Sequence, residues 1–221
     1  MVTPGSRVAD IGTDHAYLPI WLCQQDRIPS AIAADLRKGP LEAASANIRQ
    51  AGLQERIEIR LSDGLHAFKK GEAETLILAG MGGRLVCRIL GDGRTLLPDL
   101  HEILLQPQSD IADVRRFLAD SGFMIAEETC TEDEGKFYPV IRAVPDPDQC
   151  ADLTEAELAF GPCLLRDRNP LLKKWLDKRL ETTEQILKDL CQRSSGAASR
   201  RRGELQEEEQ LLKAAMRYYE M

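Results

Sequence analysis

The 221-residue sequence predicts an open, mostly parallel α/β sheet that closes in an antiparallel hairpin and is followed by a separate helical hairpin. Three observations predict this. Over the first 144 residues, short apolar runs alternate with helix-period segments, the pattern of parallel strands joined by crossover helices. Nearly every run ends in a polar or glycine-containing cluster. Beyond Pro145-Asp146-Pro147-Asp148, the runs give way to long amphipathic helices. The expected division is therefore residues 1–145 as an α/β domain and residues 146–221 as a helical domain with an antiparallel hairpin.

In chain order, the first strand is Arg7–Ile11, ending in Gly12-Thr13-Asp14-His15, and a helix follows from Tyr17 to Gln25. The second strand is Ser30–Asp35. Pro40 lies near the start of the next helix, which reaches Gln50 and is closed by Gly52, since glycine readily adopts the left-handed conformation that ends helices. Strand three is Ile57–Leu61, followed by Ser62-Asp63-Gly64. Strand four, Thr75–Ala79, runs into Gly80-Met81-Gly82-Gly83, with a helix from near Arg84. Strand five, Glu102–Gln106, is expected to stop at Pro107. A helix covers Ile111 to Asp120, and Gly122 ends it. Phe123–Thr129 and Phe137–Val144 then read as a hairpin across Glu132-Asp133-Glu134-Gly135-Lys136. Five parallel strands plus a terminal hairpin is the Rossmann-like plan common among methyltransferases.

In the tail, Thr154 with Glu157 forms a capping box for a short helix to Phe160, and Gly161-Pro162 interrupts it. Leu171 to Leu190 places Leu172, Trp175, Leu176, Leu180, Thr183, Ile186, Leu187 and Leu190 on a helical stripe. Residues 194–199 read as a turn. A last helix from about Glu204 to Tyr219 carries Leu205, Leu212, Ala215 and Tyr219 on one face.

Composition narrows the function. With 43% hydrophobic and 29% charged residues the chain reads as globular, and no apolar run approaches the ~20 residues of a membrane span. Asp10, Asp14 and His15 break the only early apolar stretch, which argues against a signal peptide and for the cytoplasm. Six scattered cysteines without CxxC, and three distant histidines, lack metal-ligand spacing, so no metal is expected. The net charge of −7 argues against a chain-wide grip on nucleic acid. Residues 1–150 hold 16 Lys/Arg against 23 Asp/Glu, while residues 151–221 are neutral at 13 against 13.

Ligands of open parallel sheets bind outside the carboxyl ends of the strands. The first loop has only Gly12, not GxGxxG, so a pyrophosphate finds little backbone donation and NAD or FAD is disfavoured. An aspartate-rich loop suits a ligand with a cationic end, which Asp10 and Asp14 could hold; Asp10 could instead tie down the loop. Asp35, at the end of strand two, is spaced to accept hydrogen bonds from ribose hydroxyls. Asp63-Gly64 could receive an adenine amino group. An Asn/Asp-Pro-Pro-aromatic motif, usual after strand four in enzymes that methylate exocyclic amines, is absent. Ala79-Gly80-Met81-Gly82-Gly83 stands there instead, an expected side-chain-poor floor for a flat ring. The ring nitrogen N1 of adenine has a free lone pair and needs no base. Methylation places positive charge on the ring, which Asp14 at the loop tip could stabilise.

VADIGTDHAYLPI, AIAADLRKGPL, SDGL, ILAGMGG, ILLQP and the strand pair ending in GKFYPVIRA resemble the bacterial tRNA (adenine-22-N1)-methyltransferases, collinearly through residues 7–144. The similarity continues more loosely through GPCLLRDRNPLLKKWL. The resemblance implies a class I methyltransferase domain, S-adenosyl-L-methionine as donor with S-adenosyl-L-homocysteine as product, and a coiled-coil-like C-terminal domain. It also implies N1-methyladenine in tRNA as the modified product. By position, Asp10, Gly12, Asp14 and His15 would line the methionine end, and Asp35 with Leu36 the ribose side. Ser62, Asp63 and Gly64 would meet the donor adenine, and Ala79 and Gly80 to Gly83 would border the transfer site. Many relatives carry Glu at the position of Asp35 and a helix before strand one, whereas strand one here begins at Arg7.

Local basic clusters are the expected RNA contacts: Arg166, Arg168, Lys173 and Lys174, within a stretch to Arg179 of charge +4, and Arg200-Arg201-Arg202. A monomer is expected, with a homodimer through the apolar tail faces as the alternative. Two further readings stand beside the tRNA enzyme. One is a donor-binding protein without catalysis. The other is a methyltransferase for small molecules or other RNAs; activity that survives deletion of residues 150–221 would mark the small-molecule enzyme.

Overall fold

The computed structural model describes residues 1–146, 152–191 and 196–220. Seven strands form one sheet in the order β3-β2-β1-β4-β5-β7-β6. They are β1 (Val8–Ile11), β2 (Ala31–Asp35), β3 (Ile57–Leu61), β4 (Thr75–Gly82), β5 (Glu102–Ser109), β6 (Phe123–Asp133) and β7 (Lys136–Pro145). β1 pairs in parallel with β2 on one side and β4 on the other, and β5 pairs antiparallel with β7. Strand β1 is buried along its whole length, because a central parallel strand is covered on both faces.

Helices α1 (Tyr17–Gln24), α2 (Lys38–Gln50), α3 (Gly83–Asp92) and α4 (Ile111–Asp120) cross between the parallel strands. One apolar cluster joins Leu76, Leu78, Val86, Leu90, Ile103, Leu118 and Ile141. The other joins Val8, Leu22, Ile28, Ala33, Ile48 and Ile77.

Two strands outrun their sequence limits. β4 continues through Gly80 to Gly82, and β5 passes Pro107 to Ser109. Proline is tolerated there because Met81 faces Pro107 between register shifts, where the ladder is irregular. The hairpin turn is Glu134-Gly135, with φ of 47° and 76°; two consecutive left-handed residues match the twist of a tight antiparallel pair.

The chain divides into two compact units. The first holds Met1–Glu127 and the β7 segment from Pro139; the second holds the hairpin tip Glu128–Tyr138 and the helices after it. A cut at residue 145 would leave that tip in the first part. Within the second unit are α5 (Glu155–Phe160), α6 (Pro162–Arg166), α7 (Pro170–Cys191) and α8 (Gly196–Met216). The Thr154–Glu157 capping box is present. Asn169 Oδ1 accepts the N–H groups of Leu171 and Leu172, so Asn169-Pro170 starts α7 as an N-cap with proline in the first turn. The sequence pattern does not predict α6; Glu128 on β6 accepts the N–H of Cys163 at 3.0 Å and stabilises its start. The core of the unit joins Leu164, Leu165, Leu172, Leu176, Leu212 and Ala215, with Trp175 between Phe137 and Phe160. Residues 196–199, expected in a turn, are helical; 194 and 195, and Pro147-Asp148 of the expected linker, lie outside the described residues. Ile186, expected on the buried stripe, is exposed. No helix among the described residues is long and apolar enough to cross a membrane.

Candidate active site

The chain runs β1 to β2 to β3 in one direction, then returns to place β4 on the other side of β1. That reversal opens a crevice at the carboxyl ends of β1 and β4, the usual ligand position of such sheets. Gly12 (φ 74°) turns the chain out of β1, and the N–H groups of Gly12 and Thr13 both donate to the Ala34 carbonyl, at 2.8 and 2.9 Å. These donors are consumed inside the fold, so the loop offers no cradle for a pyrophosphate. A Cβ on Gly12 would collide with Met81 Cε, so the loop after β1 touches the end of β4.

Asp10 is buried and accepts a 2.6 Å hydrogen bond from the Thr13 hydroxyl. Burial pushes its carboxyl up to about 6, and the Thr13 bond only partly offsets this. The structure therefore gives Asp10 the loop-tying role. Asp14, by contrast, has a side chain 87% exposed, 3.4 Å from His15 Nε2. His15 and Ala16 both take left-handed backbone (φ 56°), uncommon for residues with a side chain. Asn47 on α2 holds this turn by donating to the His15 carbonyl at 3.0 Å.

At the end of β2, Asp35 Oδ1 accepts the Arg37 N–H at 2.7 Å, which aims the carboxylate, while Leu36 is exposed. Beside it, the N–H of Ser62 donates to the Asp35 carbonyl. Ser62 is buried; its hydroxyl donates to the Gly64 carbonyl and accepts from Ala67 N–H. Gly64 (φ 55°) packs on Ile89. Ser62 and Gly64 thus shape the loop, and the half-exposed Asp63, 3.8 Å from Arg88, is its accessible carboxylate.

After β4 the expected open floor is narrower than the sequence suggests. Ala79, Gly80 and Gly82 are exposed and Met81 is half-buried, but Gly83 is buried: a Cβ there would collide with the Ser109 carbonyl oxygen. Gly83 lets α3 pack against the end of β5. Gly80 (φ 76°) donates its N–H to Gln106 Oε1 at 2.8 Å.

The edge of the sheet therefore presents Asp14, Asp35 and Asp63 around an exposed glycine strand end, with no phosphate-type donor nest in the β1 loop. This donor set fits a cationic ligand carrying a ribose and an amino-bearing ring. The family profile described as TrmK, tRNA (adenine(22)-N(1))-methyltransferase, matches residues 8–216. The chain belongs to this tRNA (adenine(22)-N(1))-methyltransferase family.

The tRNA (adenine(22)-N(1))-methyltransferase of Bacillus subtilis (strain 168) is 35% identical over 192 residues, covering 85% of this chain and 80% of the relative. The solved B. subtilis m1A22 tRNA methyltransferase TrmK matches with a TM-score of 0.84 at 31% identity, over 97% of this chain and 94% of that one. A Streptococcus pneumoniae protein solved in complex with S-adenosyl-L-methionine matches with a TM-score of 0.83 at 33% identity, over 97% and 94%.

The tail of this TrmK-family chain shows its basic residues largely engaged with carboxylates. Arg166 pairs with Asp167 at 2.7 Å, Lys173 with Asp177 at 2.8 Å, Lys174 with Glu132 at 3.4 Å and Arg201 with Glu204 at 2.9 Å. Arg202 turns inward and donates to the Leu190 carbonyl at 3.0 Å. Arg168 (φ 50°) and Arg200 are exposed. The arginine triplet lies in the first turns of α8, not in a loop. Sequence reading missed Thr13, Asn47 and Gln106. Asn47 and Gln106 act through partners brought near by the fold, and Thr13 through Asp10, three residues before it.

Proposed function

We propose that this chain transfers the methyl group of S-adenosylmethionine to N1 of adenine 22 in tRNA. The observation that carries the reading is the acidic carboxyl edge of β1, β2 and β3 beside the end of β4, with the N–H groups of Gly12 and Thr13 spent internally, in a chain of the TrmK family. S-adenosylmethionine, when bound, supplies an electrophilic methyl on a sulfonium: the N1 lone pair forms the new C–N bond, the C–S bonding pair stays on sulfur, and S-adenosylhomocysteine remains.

The chain's own residues bind and orient. Asp10, Gly12, Asp14 and His15 form the wall toward the methionine end, with Asp10 acting through Thr13. Asp35 accepts from the ribose hydroxyls, and Leu36 covers that side. Ser62 and Gly64 hold Asp63 toward the donor adenine. Ala79, Gly80, Met81 and Gly82 border the transfer site, and Gly83 fixes its rear. No residue need remove a proton, because N1 is a neutral nucleophile. Asp14 acts by charge: the adenine becomes cationic as the bond forms, and a nearby carboxylate stabilises it more strongly once RNA displaces water. N1 is inaccessible in a paired or stacked adenine, so the base must leave its stack.

Arg166, Arg168, Lys173, Lys174, Arg200 and Arg201 are the proposed phosphate contacts of the tail, where phosphates would displace the present carboxylate partners. Arg202 acts there through the helix hairpin. The enzyme works in this reading as a cytoplasmic monomer. Radiolabelled methyl transfer to an unmodified tRNA with adenine 22, beside the same tRNA with that base replaced, tests the function. Label in the first alone is expected. Label in both would reject the target, and label in neither, with donor bound, would reject the catalysis.

A further inference from the structure

An adenine drawn out of its helix loses its stacking partners and needs a new ring to lie on, and each base–aromatic stack contributes substantially to binding. The strand end that borders the transfer site, Ala79 to Gly83, offers no aromatic ring. The neighbouring loop does. β1 and β4 are adjacent and in register, Ile11 opposite Leu78, so the loop leaving β1 at Gly12 lies beside the strand end at Ala79. Five residues past Gly12 stands Tyr17, the first residue of α1 and 63% exposed, a high value for a large ring.

The Tyr17 ring is already half of a stack. His15 lies against it with centroids 5.3 Å apart and planes within 16°. The two left-handed residues His15 and Ala16 produce this arrangement, and Asn47 fixes it through the His15 carbonyl. Strained backbone of this kind persists only where the surroundings hold it, and it clusters at functional positions. Leu18 and Trp21, also exposed on α1, line a cavity with Ala79 and Gln106, which places the start of this helix beside that strand end; Tyr17, next to Leu18, is the ring that stacks on His15.

We propose that Tyr17, backed by His15, is the surface on which the target adenine stacks during methyl transfer. The inference rests on the tRNA reading above. Tyr17 positions the ring face while Asp14, in the loop before the helix, meets the growing charge. The phenol hydroxyl has no part in it; the π face does.

The test uses the whole chain with Tyr17→Phe, Tyr17→Leu and Tyr17→Ala. Each is checked by thermal unfolding; Leu keeps the apolar bulk and helix preference if Ala perturbs the fold. Tyr17→Leu and Tyr17→Ala are expected to lower kcat/KM for tRNA about 5- to 150-fold, the range of one lost base stack. Tyr17→Phe stays within about twofold, because it retains the ring face. Donor Kd, measured by calorimetry, stays at the wild-type value in all three. A tRNA carrying 2-aminopurine at position 22 gives the direct signal: stacking quenches it in wild type and Tyr17→Phe, and emission rises in Tyr17→Leu. Unchanged kcat/KM and emission in Tyr17→Leu would overturn the proposal, as would a donor Kd weakened in parallel with kcat/KM. Failure of the wild-type enzyme to methylate adenine 22 would sink the tRNA reading instead, and the emission comparison would still decide the stack.

Discussion

The carboxyl edge of the sheet and the helical unit both hold clusters of charge that stand out in the sequence, yet the fold treats them differently. At the sheet edge, Asp14, Asp35 and Asp63 come from three separate stretches and gather because parallel strands all end on one side. None has a partner closer than 3.4 Å among the ion pairs of that edge. In the helical unit, the basic residues are close in sequence, and Arg166, Lys173, Lys174, Arg179 and Arg201 each meet a carboxylate within 3.4 Å. Such exposed pairs contribute about 0–1 kcal/mol each, so they hardly stabilise the fold, but they weaken the local positive field. Charge clustered by a sheet edge remains available to a ligand, whereas charge counted along a helix is largely answered by the neighbouring turn or helix.

The sharpest break of this comparison is at the sheet edge. Gly12→Val places a side chain at φ 74° and against Met81, and is expected to cost about 2–5 kcal/mol in denaturant unfolding and to abolish donor binding. Next, Asp35→Ala removes the proposed ribose acceptor. A hydrogen bond to a charged group contributes about 1.5–3 kcal/mol, so donor Kd should rise roughly 10- to 150-fold by calorimetry, with Asp35→Glu recovering most of it.

Asp10 gives a pH test of intermediate size. Its folded carboxyl titrates near 6 instead of 3.8, so the folded state holds that proton longer. The contribution of this group to stability therefore falls as pH rises from about 4 to about 6, and is level above that. A cationic donor favours the ionised form. The donor-induced rise in Tm should be larger at about pH 7.5 than at about pH 5, and an equal rise at both would remove Asp10 from the donor's field.

The smallest effects belong to the helices. Arg200→Ala with Arg201→Ala should weaken tRNA binding modestly and reduce the slope of log affinity against log salt by about 0.7–0.9 for each phosphate no longer neutralised, without touching donor Kd. Arg202→Ala should instead lower thermal stability, since its guanidinium bonds the Leu190 carbonyl. A reduced salt slope for Arg202→Ala alone would reverse that distinction.

Most of the strand plan was legible because apolar runs and glycine turns are local signals. β3 and α4 have the expected limits, and Thr154 with Glu157 forms the expected cap. The ends of β4 and β5 were not legible. Gly80 and Pro107 read as stops, yet the irregular pairing of Met81 with Pro107 carries both strands further. α6 was hidden because its start depends on Glu128, 35 residues earlier. At the site, Asp14, Asp35 and the loop glycines stood out by spacing. Gly83 looked equivalent to Gly80 in sequence, and only the approach of Ser109 shows that one packs inward while the other faces the crevice.

The sequence by itself determined the alternation of strands and helices, the acidic and glycine-rich strand ends and the motifs that mark the family, because these depend on neighbouring residues and on periods of two and 3.6. Only the tertiary structure decided which of those residues are buried or paired and which stay exposed at the sheet edge. It tied Asp10 to Thr13 and left Asp14 in the open, set Gln106 under Gly80, turned Arg202 inward and stacked His15 on Tyr17. The physical reason is that burial and hydrogen-bond partnership belong to pairs of groups, and most of the deciding partners lie on other elements that meet only when the sheet closes.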